Sequence, residues 1–269
     1  MALKLTTKII EKPWGRYRIP EIFGCIGGRR IGEVWFTSSK DLPLLAKYIF
    51  TSERLSIQVH PNDEQARARR LPGGKNECWL ILDAEPDATL GLGLVRRLSS
   101  DDLRAAALDG SIENLVDWRP VCAGDFFYVP AGTVHAIGPG ITLLEFQQNV
   151  DVTYRLYDYG RPRELHLAEG ITAARAEPYP SKLAQHVDAR DNLVLVSGLD
   201  FSLVQLASKA ETPAMRERQR WVMPLEGKAV STGVEAVAGE CLLLDPGEPL
   251  HHQNARLLIG MSGPPLAHC

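Results

Sequence analysis

Short runs of alternating apolar and polar residues, each closed by glycine or proline, recur along the chain and predict a mainly β protein. In Leu55-Ser56-Ile57-Gln58-Val59-His60-Pro61, Leu55, Ile57 and Val59 fall on one face and Ser56, Gln58 and His60 on the other, because successive strand side chains point to opposite sides. The same period pairs Glu33 with Trp35 in a strand over 31–36. It aligns Lys75, Glu77 and Trp79 in a strand that follows the Gly73-Gly74 turn. Residues 42–50 are largely apolar, and 141–148 form another strand. Asp151, Thr153, Arg155 and Tyr157 share a further face. By spacing alone the Glu33 face reads as a solvated sheet edge. The Ser56, Gln58, His60 face reads either as exposed or as the lining of a small barrel.

The stretch 124–138 organises the rest. Gly124-Asp125 signals a turn, 126–129 is a short aromatic and β-branched strand, and Pro130-Ala131-Gly132 reverses the chain. His135 then lies just inside the next strand. An imidazole fixed there is either a hydrogen-bonded core histidine or a metal ligand. Helices are few and short: one begins at an Asn62 or Asp63 cap, one spans 99–118 with a break at Gly110, and one spans 168–176. Glu177-Pro178-Tyr179-Pro180 is the best boundary. It divides the chain into a first unit over 1–180 and a smaller β unit over 181–269, with strands at 192–196, 201–206, 220–224, 241–244 and 256–259. His251 and His252 are adjacent, so on a strand they face opposite ways and cannot line one pocket together.

Composition narrows the class. The 269 residues are 45% hydrophobic and 23% charged, the balance of a soluble globular protein. A net charge of −3 argues against a nucleic-acid or membrane partner recognised by bulk electrostatics, but leaves room for a local basic pocket that takes one small anion. Cys25, Cys78, Cys122, Cys241 and Cys269 are scattered and form no CxxC pair. That pattern points to reduced thiols in a cytoplasmic protein. Residues 1–10 hold lysines and no long apolar run, so no signal peptide is expected.

Strand phase gathers Gln58, His60, Glu77 and His135 toward one interior. Two imidazoles, a carboxylate and an amide suit a divalent transition metal, zinc first; Gln58 could instead hold a water. Glu77 opens an otherwise apolar strand, where a carboxylate needs a cation.

Several of these blocks, in this order, resemble the class I mannose-6-phosphate isomerases in their short bacterial form, members of the cupin superfamily. The resemblance rests on Lys12-Pro13-Trp14-Gly15, the 55–61 block, Gly74-Lys75-Asn76-Glu77-Cys78-Trp79, the 124–135 stretch, Glu145-Phe146-Gln147-Gln148-Asn149 and Pro162-Arg163-Glu164-Leu165-His166. It covers roughly the first two thirds of the chain; the C-terminal part matches only loosely. It implies a bicupin, two jelly-roll β-barrel modules with a few short helices, the second without metal ligands. It further implies zinc on Gln58, His60, Glu77 and His135, an essential Arg155, Lys75 near the substrate, and Ser56 close to its phosphate. The substrate would be a sugar phosphate, mannose 6-phosphate or fructose 6-phosphate, interconverted through an enediol. The carbon base would be Glu145, a histidine or a water on the metal, and Glu145 reads equally as a carboxylate partnered with Arg155. Two competing readings remain: a non-catalytic sugar-phosphate-binding bicupin and an iron-dependent cupin dioxygenase.

Overall fold

The computed structural model describes residues 1–207 and 211–266; Cys269 lies outside them. Strands dominate and assemble into three sheets. The first has seven strands, in spatial order Ala184–His186, Asp125–Val129, Glu77–Ala84, Ile141–Gln148, Leu44–Phe50, Ile31–Thr37 and Thr6–Arg16. The second has five: Tyr154–Tyr157, Ile57–Val59, His135–Ile137, Thr89–Leu94 and Val116–Pro120. The third gathers the C-terminal strands around Arg220–Ser231 and His251–Ser262. The N-terminal and C-terminal parts of the chain exchange edge strands. Leu3–Lys4 pairs with Leu242–Leu244 in the third sheet, and Ala184–His186 pairs with Asp125–Val129 in the first.

The first sheet is covered on both sides, which explains why Leu44–Phe50 is buried at every position. One set of alternate residues, including Val34, Phe36, Tyr48, Phe50, Leu80 and Phe146, packs against Phe201, Trp221, Met223 and Leu258 of the third sheet. The two sheets come very close at one point. A Cβ added to Gly260 would lie 2.1 Å from the Phe146 ring, so only glycine lets that ring seat. The other set, which includes Glu33, Lys47, Glu77 and Glu145, is polar yet buried. It faces the five-stranded sheet across a cavity. The reading of Glu33 as part of a solvated edge is therefore corrected. A two-residue period separates the faces of a strand but does not say which meets water.

Helices cover the outside of the five-stranded sheet. Helix Ser100–Asp109 is capped by the Ser99 side chain and ends at Gly110 in the left-handed region, φ 82°. Its Leu103, Ala106 and Ala107 pack with Ile57, Val59, Tyr154 and Leu156. The predicted break at Gly110 is present, and Ile112–Leu115 follows it. The helix expected to reach residue 118 does not: Val116–Pro120 is a strand paired with Thr89–Leu94. Val116 and Trp118 favour a pleated surface, and the pairing partner is not visible locally. The short helix Asp63–Ala68 forms as expected, with a reciprocal capping box between Asn62 and Gln65. Among the described residues, no helix is long and apolar enough to cross a membrane.

Candidate metal centre

A cavity of about 320 Å³ lies between the first and second sheets. Strand register brings its lining together. In the five-stranded sheet Arg155 stands opposite Gln58, and Gln58 opposite His135. In the seven-stranded sheet Trp35, Lys47, Glu145 and Trp79 form one cross-strand row, with Glu77 opposite Gln147 beside it. His60 and Lys75 sit just outside the strand ends next to them.

Three buried donors converge: His60, Glu77 and His135 each offer an atom within 4.8 Å of the others. His60 Nε2 is 3.4 Å from Glu77 Oε2, and His135 Nε2 is 3.3 Å from Glu77 Oε1. Tetrahedral zinc with bonds of about 2.0 Å keeps neighbouring ligand atoms about 3.3 Å apart, and each imidazole stands at about that distance from one oxygen of Glu77, so the donor set suits a metal. The far side of each imidazole is tied to backbone. His60 Nδ1 donates to Val152 O and His135 Nδ1 to Thr133 O, both at 2.8 Å. Those bonds fix the tautomer and leave each Nε2 lone pair aimed at the cluster. Burial, then the Lys75 charge, lowers the His60 pKa to about 3. Burial also lowers that of His135. Both rings are therefore neutral and free to ligate. Glu77 Oε2, sealed from water, has no well-aligned hydrogen-bond donor, although the Lys75 ammonium stands 2.9 Å away.

Gln58 is the fourth expected ligand. Its amide nitrogen lies 3.2 Å from His135 Nε2, and its Oε1 accepts from Ser56 Oγ at 3.1 Å. A half-turn of the amide exchanges O and N and points an oxygen donor into the same cluster.

From the trio a ladder of alternating charge crosses the sheet. Lys75 Nζ lies 3.8 Å from Glu145, Glu145 lies 3.0 Å from Lys47, and Lys47 lies 3.6 Å from Glu33. Lys12 closes the row, 3.5 Å from Glu33. The two carboxylates nearest the centre are driven apart. Burial raises Glu77, but Lys75 and then His60 hold it well below the ordinary range. Burial and the Glu77 charge raise Glu145 above it. Two carboxyl groups with opposite shifts in one cavity are the usual basis for separate acid and base roles.

Glu33 provides a test of the ladder. Burial opposes its charge, yet Lys47 and Lys12 outweigh that and lower its pKa. A depressed folded-state pKa contributes stability above the unfolded value and loses it as pH falls through the folded one. Glu33→Gln is expected to cost on the order of 2 kcal/mol at neutral pH, measured by denaturant unfolding. The gap from wild type should close as pH drops below about 4.5. A gap that persists at acidic pH would mean the charge on Glu33 contributes nothing.

Of the expected site residues, Ser56, Gln58, Lys75, Glu77, Glu145 and Arg155 line the cavity directly, while His60 and His135 lie in the buried cluster behind it, His135 against Trp79. Two relationships differ from expectation. Glu145 is not partnered with Arg155. It accepts from Trp79 Nε1 at 3.1 Å and pairs with Lys47, because Arg155 belongs to the opposite sheet. Tyr157 leaves the Asp151, Thr153, Arg155 face: the register shifts after Arg155, and the Tyr157 ring packs over Gly110. Sequence reading missed Lys47, whose only signal was a lysine in phase with Leu45 and Ile49 in an apolar strand. It also passed over Arg163 and His166 as cavity-lining residues.

No protein-family model matches the chain. It is 39% identical over 192 residues to the mannose-6-phosphate isomerase ManA of Bacillus subtilis (strain 168), a match covering 69% of this chain and 56% of that protein. It is 32% identical over 244 residues to the probable mannose-6-phosphate isomerase GmuF of the same organism, covering 86% and 73%. The chain thus spans only about half the length of the first relative, 56%. Among solved structures, the crystal structure of the mannose 6-phosphate isomerase from Bacillus subtilis superposes with a TM-score of 0.78 at 27% identity, covering 96% of this chain and 99% of that one.

Proposed function

The chain belongs to the mannose-6-phosphate isomerase family, and we propose that it interconverts mannose 6-phosphate and fructose 6-phosphate as a metal-dependent aldose–ketose isomerase. The observation that carries this reading is the convergence of His60, Glu77 and His135 in a cavity that also holds Lys75, Glu145 and Arg155. We assign Gln58, His60, Glu77 and His135 as holders of one Zn²⁺. When bound, that ion supplies Lewis acidity to the carbonyl and hydroxyl oxygens of the sugar.

The protein's own groups do the rest. Glu145, with its raised pKa, takes the proton from one sugar carbon and returns it to the neighbouring one; its strand and the Lys47 contact hold it in place. Arg155 is permanently charged and too weak a base to move that proton. It faces the oxyanion that develops as the enediol forms. Lys75 and Ser56 bind the sugar phosphate. At the level of architecture we propose a cytoplasmic bicupin: a catalytic jelly-roll module over 1–180 and a smaller cupin-like module over 181–269 that contributes no ligand to this catalytic metal.

The direct test is a coupled assay of mannose 6-phosphate turnover on the intact chain, before and after metal removal. Turnover should vanish on chelation and return with Zn²⁺. A zinc-loaded protein that binds mannose 6-phosphate without converting it would replace the enzyme with a sugar-phosphate-binding protein.

A further inference from the structure

A second trio of metal-competent side chains lies outside the cavity: Cys122, Asp125 and His186, again within 4.8 Å of one another. Cys122 and Asp125 bracket the turn that leads into strand Asp125–Val129. His186 ends the neighbouring strand Ala184–His186, where register sets it opposite Asp125. His186 Nδ1 is 2.9 Å from Asp125 Oδ1, and Cys122 Sγ is 3.6 Å from Asp125 Oδ2. Around tetrahedral zinc, with bonds of about 2.0 Å to N or O and about 2.3 Å to S, those separations are about 3.3 and about 3.5 Å. The thiol and the imidazole, each against one oxygen of Asp125, therefore stand within a few tenths of an ångström of ligand spacing.

The backbone sets this arrangement. The Asp125 carboxylate accepts from Cys122 N at 2.9 Å, and Val187 N donates to Gly124 O at 2.9 Å. Gly124 has φ +96°, and a Cβ there would lie 2.8 Å from the His186 ring. Glycine is what allows the imidazole to lie over the turn beside the thiol.

We propose that Cys122, Asp125 and His186 form a second metal site, on the surface, for a thiophilic divalent cation of the zinc class. Cys122 and His186 are exposed, so an ion can enter from solvent and keep an open position. Without metal, the Asp125 charge raises the Cys122 pKa and holds it as a weakly reactive thiol. A bound cation reverses that and deprotonates it. The ion would bridge side chains 61 residues apart in sequence, Asp125 and His186. It would staple the strand after the proposed domain boundary onto the strand that leads to His135. The site does not depend on the proposed reaction.

Cobalt(II) added to the metal-stripped full-length chain tests it. The His–Glu–His centre contains no sulfur, so a thiolate-to-cobalt charge-transfer band reports only a cysteine site. Wild type should bind two cobalt ions per chain with that band (one ion at each site). Cys122→Ser should lose the band and one ion while keeping its circular dichroism and isomerase turnover. His186→Ala should weaken the band-forming site at least about tenfold. No band in wild type, or a band that survives Cys122→Ser, overturns the proposal.

Discussion

Glu77→Gln is expected to leave a folded protein that keeps little metal and has lost at least about 100-fold in turnover. The amide matches the carboxylate in shape, and Glu77 is fully buried, so packing is preserved. What disappears is the one negative charge among the three donors of the trio. Two neutral imidazoles then face the ammonium of Lys75, which stands 3.3 Å from His60 Nε2. A cation entering such a site meets repulsion where it met attraction. Some stability is lost as well, because Lys75 keeps only Glu145, at 3.8 Å, as a buried anionic partner. Elemental analysis, circular dichroism and the coupled assay separate these effects. A folded Glu77→Gln protein with full metal content and wild-type turnover would remove Glu77 from the centre.

Arg155→Ala should behave in the opposite way, keeping fold and metal while losing about 100- to 1,000-fold in turnover. Arg155 is only half-buried, and its side-chain contact is a long 3.5 Å bond to Glu164 O. Its removal leaves no buried charge stranded. Its place opposite Gln58 puts the guanidinium on the cavity wall without making it part of the trio. The split between kinetic constants tells what it does. A fall in kcat with KM unchanged means it acts on the transition state, whereas a rise in KM alone means it only holds the phosphate. Arg155→Lys should recover little, since a lysine point charge does not reproduce the planar fork. Near-normal turnover in Arg155→Ala would exclude it from the reaction.

The two variants together separate loss of the metal from loss of the Arg155 charge, and the metal trio itself draws on both walls of the cavity. Glu77 and Glu145 come from the seven-stranded sheet, and Gln58, His135 and Arg155 from the five-stranded one. Neither sheet is a site alone. The row from the half-buried Lys12 through buried Glu33 and Lys47 to Glu145 shows that polar wall continuing well past the metal trio.

Much of this was already present in the order of residues. The period of two assigned Ser56 and Gln58 to one face, and Lys75, Glu77 and Trp79 to another. The Asn62 and Gln65 pair set a helix start, and Gly110 set a helix end. These features are local: side-chain direction on a strand and capping at a helix terminus depend on neighbours a few positions away. The donors were legible for the same reason: Glu77 and His135 as polar residues in otherwise apolar strands, and His60 as the residue that continues the Gln58 phase just past its strand end. Tertiary structure alone decided which partners those side chains meet. It buried the Glu33 face, gave Glu145 to Lys47 and not to Arg155, turned Tyr157 out of the cavity, and made a strand of 116–120. Each outcome depends on which strands become neighbours and in what register. That is settled by the packing of the whole core, and no window of sequence contains it.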